Sequence, residues 1–260
     1  MERKKINHYG DELYQALRQV KPVEPLLARE PGITIEDAYQ IQLRMIARRL
    51  EDGERIIGKK IGLTSKSVQT MLGVDQPDFG HLTSAMVYGD GAAVPVSGLL
   101  QPKAEGEIAF ILKHDLAGPG ITNADVLRAT EAVMPCFEIV DSRIRDWKIK
   151  IQDTVADNAS SGLFVLGDRA VDPRKLDLSL CGMVFEKNGE VMHTGAGAAA
   201  LGSPVNCVAW LANTLGRLGI SLKAGEVILS GALAPLVPAV PGDNMRVSIG
   251  GIGSASVLFV

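Results

Sequence analysis

The chain has 260 residues, of which 46% are hydrophobic, and this is enough material to bury the core of one large domain. Its 27 basic and 30 acidic side chains give a net charge of −3 without a basic stripe, so neither nucleic acid nor a membrane is an expected partner. No apolar stretch approaches the roughly 18 residues that a membrane span requires. The charged N-terminus lacks an apolar signal region and the three cysteines form no C-x-x-C pair, so the sequence predicts a cytoplasmic protein with reduced thiols.

The first 53 residues have the pattern of a helical segment. A short amphipathic helix is predicted over residues 10–20, followed by a link that contains prolines. Thr34, with Asp37 three positions later, has the form of a capping box, and the helix that begins there is predicted to run to the end of the segment. Its polar face is expected to meet solvent through Arg44, Arg48 and Arg49. We therefore expect segment 1–53 to pack on a single domain that spans residues 1–260.

Beyond residue 53 the sequence consists of short apolar segments separated by Gly, Pro, Asp and Asn, as is typical of strands joined by tight turns. The segments predicted to contain strands are RIIGKKIGL, AAVPVS, GEIAFIL, CFEIVDSRI, GLFVLG, CGMVFEKNGEVMHTG, EVILSG and MRVSIGGIGSASVLFV. The pair Asn188-Gly189 predicts a two-residue hairpin turn. Helices are predicted at 122–133 and 205–217. Because strands dominate and do not alternate regularly with helices, we expect an α+β fold with a largely β core.

Two glutamates, Glu105 and Glu107, stand one residue apart in the apolar segment AEGEIAF. Side chains alternate along a strand, so both carboxylates share a face, with Cα atoms roughly 7 Å apart, and can reach one cation. A solvent-exposed polar face of an edge strand would produce the same pattern, and this stretch alone does not exclude that interpretation. Glu138 favours the metal, because a glutamate between two large apolar residues is costly to bury unless it is paired or ligated. Three carboxylates without a neighbouring histidine would suit Mg²⁺ or Mn²⁺.

A basic side chain is expected near these acids, because three carboxylates around one divalent ion would still repel an anionic substrate. Lys60 is the candidate, since it lies between Gly58 and Gly62 on one face of its strand, and the glycines leave room for a ligand. Lys59 would lie on the other face, and a surface lysine pair is the alternative interpretation. The histidines form no zinc-binding pattern and most are expected to be exposed: His8, His81, His114 and His193.

Two polar segments are dense in turn-forming and hydrogen-bonding residues. VDQPDFGHL places Asp75 and Asp78 around Pro77, and QDTVADNASSG contains two acids, Asn158 and Ser160 before an apolar run. Ordinary turn chemistry would also account for either segment. The glycine-rich TGAGAAALGSPV is not a G-x-G-x-x-G loop, and the sequence contains no P-loop and no G-x-S-x-G elbow, so a Rossmann site is not predicted.

Taken together, these segments resemble the 2-hydroxypenta-2,4-dienoate (2-oxopent-4-enoate) hydratases of aromatic meta-cleavage pathways, in the hydratase/decarboxylase branch of the fumarylacetoacetate hydrolase superfamily. The similar segments are GKKIGLTSKSVQTMLGVDQPDFG, QPKAEGEIAFIL, EIVDSRIRDWKIKIQDTVADNASSG, TGAGAAALGSPVNCVAWLANTLG, KAGEVILSGAL and GDNMRVSIGGIGSAS. Matches in this order over nearly the whole chain are more specific than any single motif. The resemblance implies a β-rich mixed-sheet roll with N-terminal and flanking helices, one catalytic domain, a divalent metal and a homo-oligomer.

The resemblance also implies roles for individual residues. The metal ligands would be Glu105, Glu107 and Glu138. Lys60 would meet the substrate and act in catalysis, Asp78 would be the general acid or base, and Ser160 would line the substrate pocket. Ser161 stands where some similar hydratases carry cysteine, and water addition does not need a thiol.

The implied reaction is the metal-dependent addition of water to 2-hydroxypenta-2,4-dienoate, which gives 4-hydroxy-2-oxopentanoate. The alternative is the 4-oxalocrotonate (2-oxo-hex-enedioate) decarboxylase of the same pathway, whose family shares the carboxylates but typically lacks the Q-P-D-F-G string found here at residues 76–80. Hydrolysis of an acylpyruvate and a non-catalytic subunit that stabilises a partner are further alternatives. The resemblance also implies a complex with the decarboxylase.

Overall fold

The computed structural model describes residues 1–66, 69–70 and 74–260. Residues 67–68 and 71–73, which fall within the first of the similar segments, lie outside the described residues. The predicted α+β fold is confirmed, with two β-sheets that form a β-rich roll and helices at the N-terminus and flanks. The α-helices of the described residues are α1 Arg3–Gln19, α2 Leu26–Arg29, α3 Ile35–Glu51, α4 Asn123–Ala129, α5 Ile151–Ala156 and α6 Pro204–Gly216.

Two of the predicted helices have different bounds. α1 begins at Arg3 rather than at residue 10, because its first two turns are mostly polar and exposed and so carry little hydrophobic periodicity. α4 ends at Ala129 rather than at residue 133, because Thr130 begins a long strand whose pairing overrides the local helical pattern. The capping box of Thr34 and Asp37 at the start of α3 is confirmed.

The strands are β1 Ile56–Gly62, β2 Asp78–Thr83, β3 Val87–Gly89, β4 Ala92–Val94, β5 Lys103–Leu112, β6 Thr130–Val140, β7 Ser161–Leu166, β8 Gly182–Lys187, β9 Glu190–Ala196, β10 Val227–Leu229, β11 Val237–Pro238, β12 Asn244–Ile249 and β13 Gly253–Phe259. The predicted hairpin is confirmed, since Asn188 and Gly189 both have positive φ between the antiparallel β8 and β9. β2, β3 and β11 were not predicted, and Asp78 starts a strand rather than lying in a turn.

The larger sheet has the order β2-β1-β10-β5-β6-β7-β3, with β11 added beside β5. The smaller sheet has the order β4-β13-β12-β8-β9. The two sheets approach closely at Gly106 of β5, where a Cβ would lie 2.7 Å from Met183 Sδ and 2.8 Å from Val247 Cγ2. Ile108 and Phe110 are buried in the same core cluster as Met183 and Val247. The residues that alternate with them on β5, including Glu105 and Glu107, therefore point away from this core.

The N-terminal helices form a second core with α5, whose buried members include Leu13, Ile41, Met45, Val155 and Ala156. The helices of segment 1–53 thus share a core with α5, and the single catalytic domain over residues 1–260 stays a prediction. Arg49, predicted to meet solvent, is buried, and its Nε donates to Glu54 Oε2 at 2.8 Å. No helix among the described residues combines the length and the apolar character needed to cross a bilayer.

Candidate metal and substrate site

Three glutamates converge on one face of the larger sheet. Glu105 of β5 lies directly opposite Glu138 of β6, and Glu107, two residues along β5, faces Cys136. Carboxylate oxygens of Glu105, Glu107 and Glu138 all lie within 4.8 Å of one another. The antiparallel register therefore brings together acids that are more than thirty residues apart in the sequence.

Most of the buried carboxylate oxygens of this cluster lack a hydrogen-bond donor among the described residues. Glu107 and Glu138 are fully buried and Glu105 is half-buried. Glu107 Oε2 accepts a hydrogen bond from the backbone N–H of Gly231 at 2.8 Å. Glu107 Oε1 and both Glu138 oxygens have no hydrogen-bond donor among the described residues. Buried carboxylates left in this way are costly, so the arrangement fits a bound hard divalent cation with oxygen ligands.

Burial and the repulsion of neighbouring charges also disfavour ionisation of Glu105 and Glu107 in the metal-free protein. Burial, followed by the charge of Glu138, raises the pKa of Glu105 to about 8. The same two causes, with Glu105 added, raise the pKa of Glu107 well above its ordinary value. A positive charge placed among the three acids would reverse this effect.

Lys60 is the positive side chain at the site. Its Nζ lies 3.2 Å from Glu138 Oε2 and donates a hydrogen bond to the Ala159 carbonyl at 3.1 Å. Burial alone would lower the pKa of Lys60, but the charges of Glu138 and Asp78 outweigh it and the pKa is raised. Lys60 therefore stays charged at neutral pH. Lys59 lies on the opposite face, as predicted, and binds Glu226 through two contacts of 2.6 and 2.8 Å.

Asp78 lies beside Lys60 because β2 pairs with β1. Asp78 is the pairing partner of Gly62, and a Cβ on Gly62 would lie 2.3 Å from Asp78 Oδ1 and 3.1 Å from Lys60 Nζ. Neither Asp78 oxygen has a hydrogen-bond donor among the described residues. Burial raises the pKa of Asp78, and the positive charge of Lys60 opposes this shift.

Gly62 is the residue whose missing side chain makes room for both groups. Gly62→Ala is expected to push the Asp78 carboxylate away from Lys60. Given the catalytic roles that the resemblance implies for these two residues, kcat should fall by about 10²-fold, because displacement of a reacting group by about 1 Å can have that effect. Gly89→Ala is the matched control, since a Cβ at Gly89 meets no atom within 4 Å. Steady-state kinetics of both variants tests this, and equal activity would show that the close approach has no role.

A strained turn supplies the carbonyl that Lys60 contacts. Asn158, Ala159 and Ser160 are three consecutive non-glycine residues with positive φ, between 50° and 54°. Such conformations persist only where the surroundings hold them, and they cluster at functional sites. The Asn158 side chain bonds the backbone of His81 on both sides, at 2.8 Å to its N–H and 2.9 Å to its carbonyl.

Arg143 contacts the residues on both sides of this turn. It was not identified from the sequence as a residue of the site. It is fully buried and its guanidinium donates to Asp157 Oδ1 and to the carbonyl oxygens of Asp141, Asp157 and Ser161. Asp157 Oδ2 in turn accepts from the Arg143 backbone N–H at 2.9 Å. An arginine in a mixed segment gives no sequence signal that it will be the centre of a buried network, because its partners come from its tertiary contacts.

Ser160 and Ser161 are both buried, and neither hydroxyl oxygen has a hydrogen-bond partner among the described residues. Ser160 directly follows Ala159, so it is the next residue after the carbonyl group that accepts the hydrogen bond of Lys60. His81, one of the four histidines of which most were expected to be exposed, is buried beside Gln42, with its Nδ1 3.1 Å from Gln42 Oε1. Burial, with the nearby Lys59, lowers the pKa of His81 to about 4, so it is neutral.

Comparison with known proteins identifies the family. The profile described as "Fumarylacetoacetate (FAA) hydrolase C-terminal" matches residues 58–259. A "2-hydroxypent-2,4-dienoate hydratase" of Pseudomonas putida is 71% identical over 222 residues, covering 85% of this chain and 100% of that protein. A "2-hydroxyhexa-2,4-dienoate hydratase" of Comamonas testosteroni is 60% identical, covering 98% of this chain and 97% of that protein.

Among solved structures, the "4-oxalocrotonate decarboxylase from Pseudomonas putida G7 - complexed with magnesium and adipate" superposes with a TM-score of 0.97 at 38% identity, covering 100% of this chain and 99% of that one. A fumarylpyruvate hydrolase from Pseudomonas aeruginosa, in complex with Mn²⁺ and pyruvate, shares the fold with a TM-score of 0.64 at 13% identity, over 78% of this chain and 88% of that one. The chain therefore belongs to the fumarylacetoacetate hydrolase family and, within it, to the group of the 2-hydroxypentadienoate hydratases.

Proposed function

We propose that this protein is a metal-dependent hydratase that converts 2-hydroxypenta-2,4-dienoate into 4-hydroxy-2-oxopentanoate in aromatic meta-cleavage catabolism. The observation that carries the proposal is the convergence of Glu105, Glu107 and Glu138 beside Lys60 and Asp78. The relatives that are 71% and 60% identical are named as hydratases of this substrate and of its six-carbon homologue.

The three glutamates are proposed as the ligands of Mg²⁺ or Mn²⁺. This role is supported by the oxygens of Glu107 and Glu138 that have no hydrogen-bond partner among the described residues, and the related decarboxylase structure contains magnesium. When bound, the divalent ion would act as a Lewis acid toward the substrate carboxylate and its C2 oxygen, and so favour enolate character at C2 and C3. The all-oxygen donor set suits either ion.

Water addition requires protons to be delivered in order. The dienol gains a proton at C5 and loses the proton of its C2 hydroxyl, which gives a conjugated enone. Water then adds its oxygen at C4 and gives up one proton, and C3 gains a proton to complete the product. Asp78 is the proposed acid or base, because its buried carboxylate lies beside Lys60 with no hydrogen-bond donor among the described residues, and burial raises its pKa above the ordinary value. Lys60 is proposed to bind the anionic substrate and to balance its charge, because its raised pKa makes it a poor proton donor. Ser160, whose hydroxyl has no hydrogen-bond partner in the described part of the chain, would line the pocket.

The alternative reaction is 4-oxalocrotonate decarboxylation. The observation in its favour is the superposition of this chain with the decarboxylase structure. The two reactions are distinguished by offering freshly generated 2-hydroxypentadienoate and 4-oxalocrotonate separately, with and without Mg²⁺, and identifying the products. We expect 4-hydroxy-2-oxopentanoate from the first and no carbon dioxide from the second. Carbon dioxide release from the second substrate alone would reverse the assignment, and no turnover of either would favour the non-catalytic subunit.

Metal binding is expected to release protons. At pH 7 Glu105, with a pKa of about 8, is mostly protonated in the metal-free protein, and it must lose that proton to become a ligand. We therefore expect release of roughly one proton or more on Mg²⁺ binding, and an affinity that rises with pH until about 8. Calorimetry in two buffers of different ionisation enthalpy measures this number, and identical heats in both buffers would contradict it.

The free energy of unfolding of the metal-free protein should change with pH as Glu105 titrates. The pKa of Glu105 in the folded chain, about 8, lies above its ordinary value of 4.5, so the folded state binds more protons between these limits than the unfolded state. The free energy of unfolding without metal should therefore fall as the pH rises through this window. Denaturant titrations in chelator at several pH values test the sign, and saturating Mg²⁺ is expected to remove the fall.

We further propose that the protein is a cytoplasmic homo-oligomer that can associate with the decarboxylase of its pathway. Three free cysteines support a reducing compartment, and exposed apolar side chains such as Leu180 and Leu218 support association. Light scattering of the purified protein, alone and with the decarboxylase, tests both assemblies. A monomer that does not bind the decarboxylase would contradict this part of the proposal.

A further inference from the structure

The Lys60 ammonium has two partners among the described residues, one charged and one neutral. Its Nζ lies 3.2 Å from Glu138 Oε2 and donates a hydrogen bond to the Ala159 carbonyl at 3.1 Å. A divalent cation among the glutamates would offset the charge of Glu138 and so weaken its attraction for Lys60. The neutral carbonyl would remain as an acceptor. The position of this flexible side chain then depends on what fixes the Ala159 carbonyl.

The side chain of Asn158 fixes the turn that contains this carbonyl. Its Oδ1 accepts a hydrogen bond from the backbone N–H of His81 at 2.8 Å, and its Nδ2 donates to the His81 carbonyl at 2.9 Å. Because His81 belongs to β2, the end strand of the larger sheet, the amide pairs with two groups that a further strand would otherwise bind. Asn158 is fully buried, so both bonds are made away from solvent.

Gly80 leaves the space in which the turn meets β2. A Cβ at Gly80 would lie 2.5 Å from the Asn158 carbonyl oxygen and 3.1 Å from its Oδ1. Gly80 is also the pairing partner of Lys60 between β1 and β2. The turn therefore approaches the sheet closely at the residue that lies opposite the lysine.

Gln42 of α3 holds His81 through its side chain. Gln42 Nε2 donates to the Phe79 carbonyl at 3.0 Å and to the Val155 carbonyl at 2.7 Å, so its Oε1 is the acceptor for His81 Nδ1, 3.1 Å away. The neutral ring of His81 therefore carries its proton on Nδ1. These bonds tie β2 to α3 and α5 at the residue that Asn158 binds.

From these contacts we infer that Asn158 is a positioning residue, whose amide holds the turn 158–160 against β2 so that the Ala159 carbonyl orients the Lys60 ammonium toward the substrate. The inference rests on the proposed function, because that function gives Lys60 its role in binding the anionic substrate. An ammonium has three donors, so the contacts with Glu138 and Ala159 leave one for a ligand. The φ of 54° at Asn158 also suits asparagine better than most other side chains.

Binding of 2-oxopentanoate, a stable 2-oxo acid, to the Mg²⁺-loaded full chain tests this role without turnover. Asn158→Gly removes both hydrogen bonds and leaves the left-handed conformation accessible. We expect calorimetry to show a Kd raised about five-fold, as for the partial loss of one hydrogen bond. Asn213→Ala is the matched control, because the Asn213 amide binds the N–H and the carbonyl of Ile121 in the same way, at 2.8 and 2.9 Å. Its Kd should equal that of the unaltered protein.

A second variant displaces the turn and leaves Asn158 in place. Gly80→Ala puts a Cβ against the Asn158 carbonyl oxygen and should raise the Kd by a similar factor, whereas Gly89→Ala, where a Cβ meets no atom within 4 Å, should not. Circular dichroism establishes that each variant is folded before it is titrated. An unchanged Kd in both Asn158→Gly and Gly80→Ala, or an equal rise in Asn213→Ala, would overturn the inference.

A double-mutant cycle separates positioning from a general loss of order. Lys60→Met alone should raise the Kd by roughly 10- to 100-fold, the range for one charged hydrogen bond. If Asn158 acts through Lys60, adding Asn158→Gly to Lys60→Met should cause no further loss. The same five-fold loss in both backgrounds would mean that Asn158 has only a structural role.

The two proposals can fail separately. Normal hydration of 2-hydroxypentadienoate with an unchanged Kd in Asn158→Gly and Gly80→Ala would overturn the positioning role alone. The expected cycle in a protein that does not hydrate 2-hydroxypentadienoate would overturn the proposed reaction and leave the positioning role standing. Tight binding of 2-oxopentanoate by Lys60→Met would overturn both the role proposed for Lys60 and the inference.

Discussion

Glu107→Gln is expected to abolish metal-dependent turnover, with a fall in kcat/KM of at least about 10³-fold, while the protein remains folded. The loss of a Lewis acid removes several kcal/mol of stabilisation from the transition state, and about 4 kcal/mol corresponds to that factor. An amide retains the size of the side chain and can still accept the hydrogen bond of Gly231, but it is a much weaker ligand for a hard cation. Activity and Mg²⁺ affinity are measured together.

Glu190→Gln serves as the matched control, because Glu190 is exposed at the start of β9 and lies outside the glutamate cluster. Its activity and metal affinity should equal those of the unaltered protein. Circular dichroism of Glu107→Gln should retain the spectrum of the unaltered chain. Turnover that survives at a near-normal rate in chelator-treated protein would show that the metal mechanism is wrong.

Arg143→Met is expected to give the largest loss of stability, about 3–5 kcal/mol in the free energy of unfolding, because it leaves the Asp157 carboxylate buried without its cation. Methionine fills much of the volume of the arginine stem, so the loss reports the charge and the hydrogen bonds more than a cavity. The variant should also lose activity, because the turn 158–160 that carries the Lys60 acceptor depends on this network. Urea denaturation in the presence of Mg²⁺ measures the loss.

Two companion variants isolate the cause. Adding Asp157→Asn to Arg143→Met removes the unpaired charge and is expected to recover part of the lost stability. Arg174→Met removes an arginine that also contacts an aspartate, Asp172, but on the surface, and should leave the denaturation midpoint unchanged. If Arg143→Met unfolds at the same denaturant concentration as Arg174→Met, the buried network does not stabilise the fold.

The glutamate cluster could be predicted only in part from the local sequence pattern. Alternation along β5 was enough to place Glu105 and Glu107 on one face, because a strand has a period of two residues. The apolar neighbours of Glu138 were enough to mark it as unusual. That Glu138 lies directly opposite Glu105 depends on the register of β5 and β6, and register is set by pairing between strands that are distant in the sequence.

The residues whose structure differs from the sequence-based prediction differ for the same reason. Residues 130–133 continue a helical pattern, yet they form part of β6 because β5 pairs with them along the strand. Arg49 and His81 are polar residues that the sequence assigned to the surface, and each is buried because a specific partner, Glu54 for one and Gln42 for the other, satisfies it. A single sequence does not reveal such partners, since they come from other elements of the fold.

By itself, the sequence determined the α+β class, the capped helix α3, the Asn188-Gly189 hairpin and the residue types needed for an oxygen-ligand metal site, because these depend on contacts between near neighbours in the chain. Only the tertiary structure decided that Asp78 lies beside Lys60 in the space left by Gly62. The same is true of the contacts of Arg143 with the turn at 158–160, and of the mainly apolar cavity that Asp78 lines. These features arise from strand pairing and packing between distant segments, and local propensity carries no information about them.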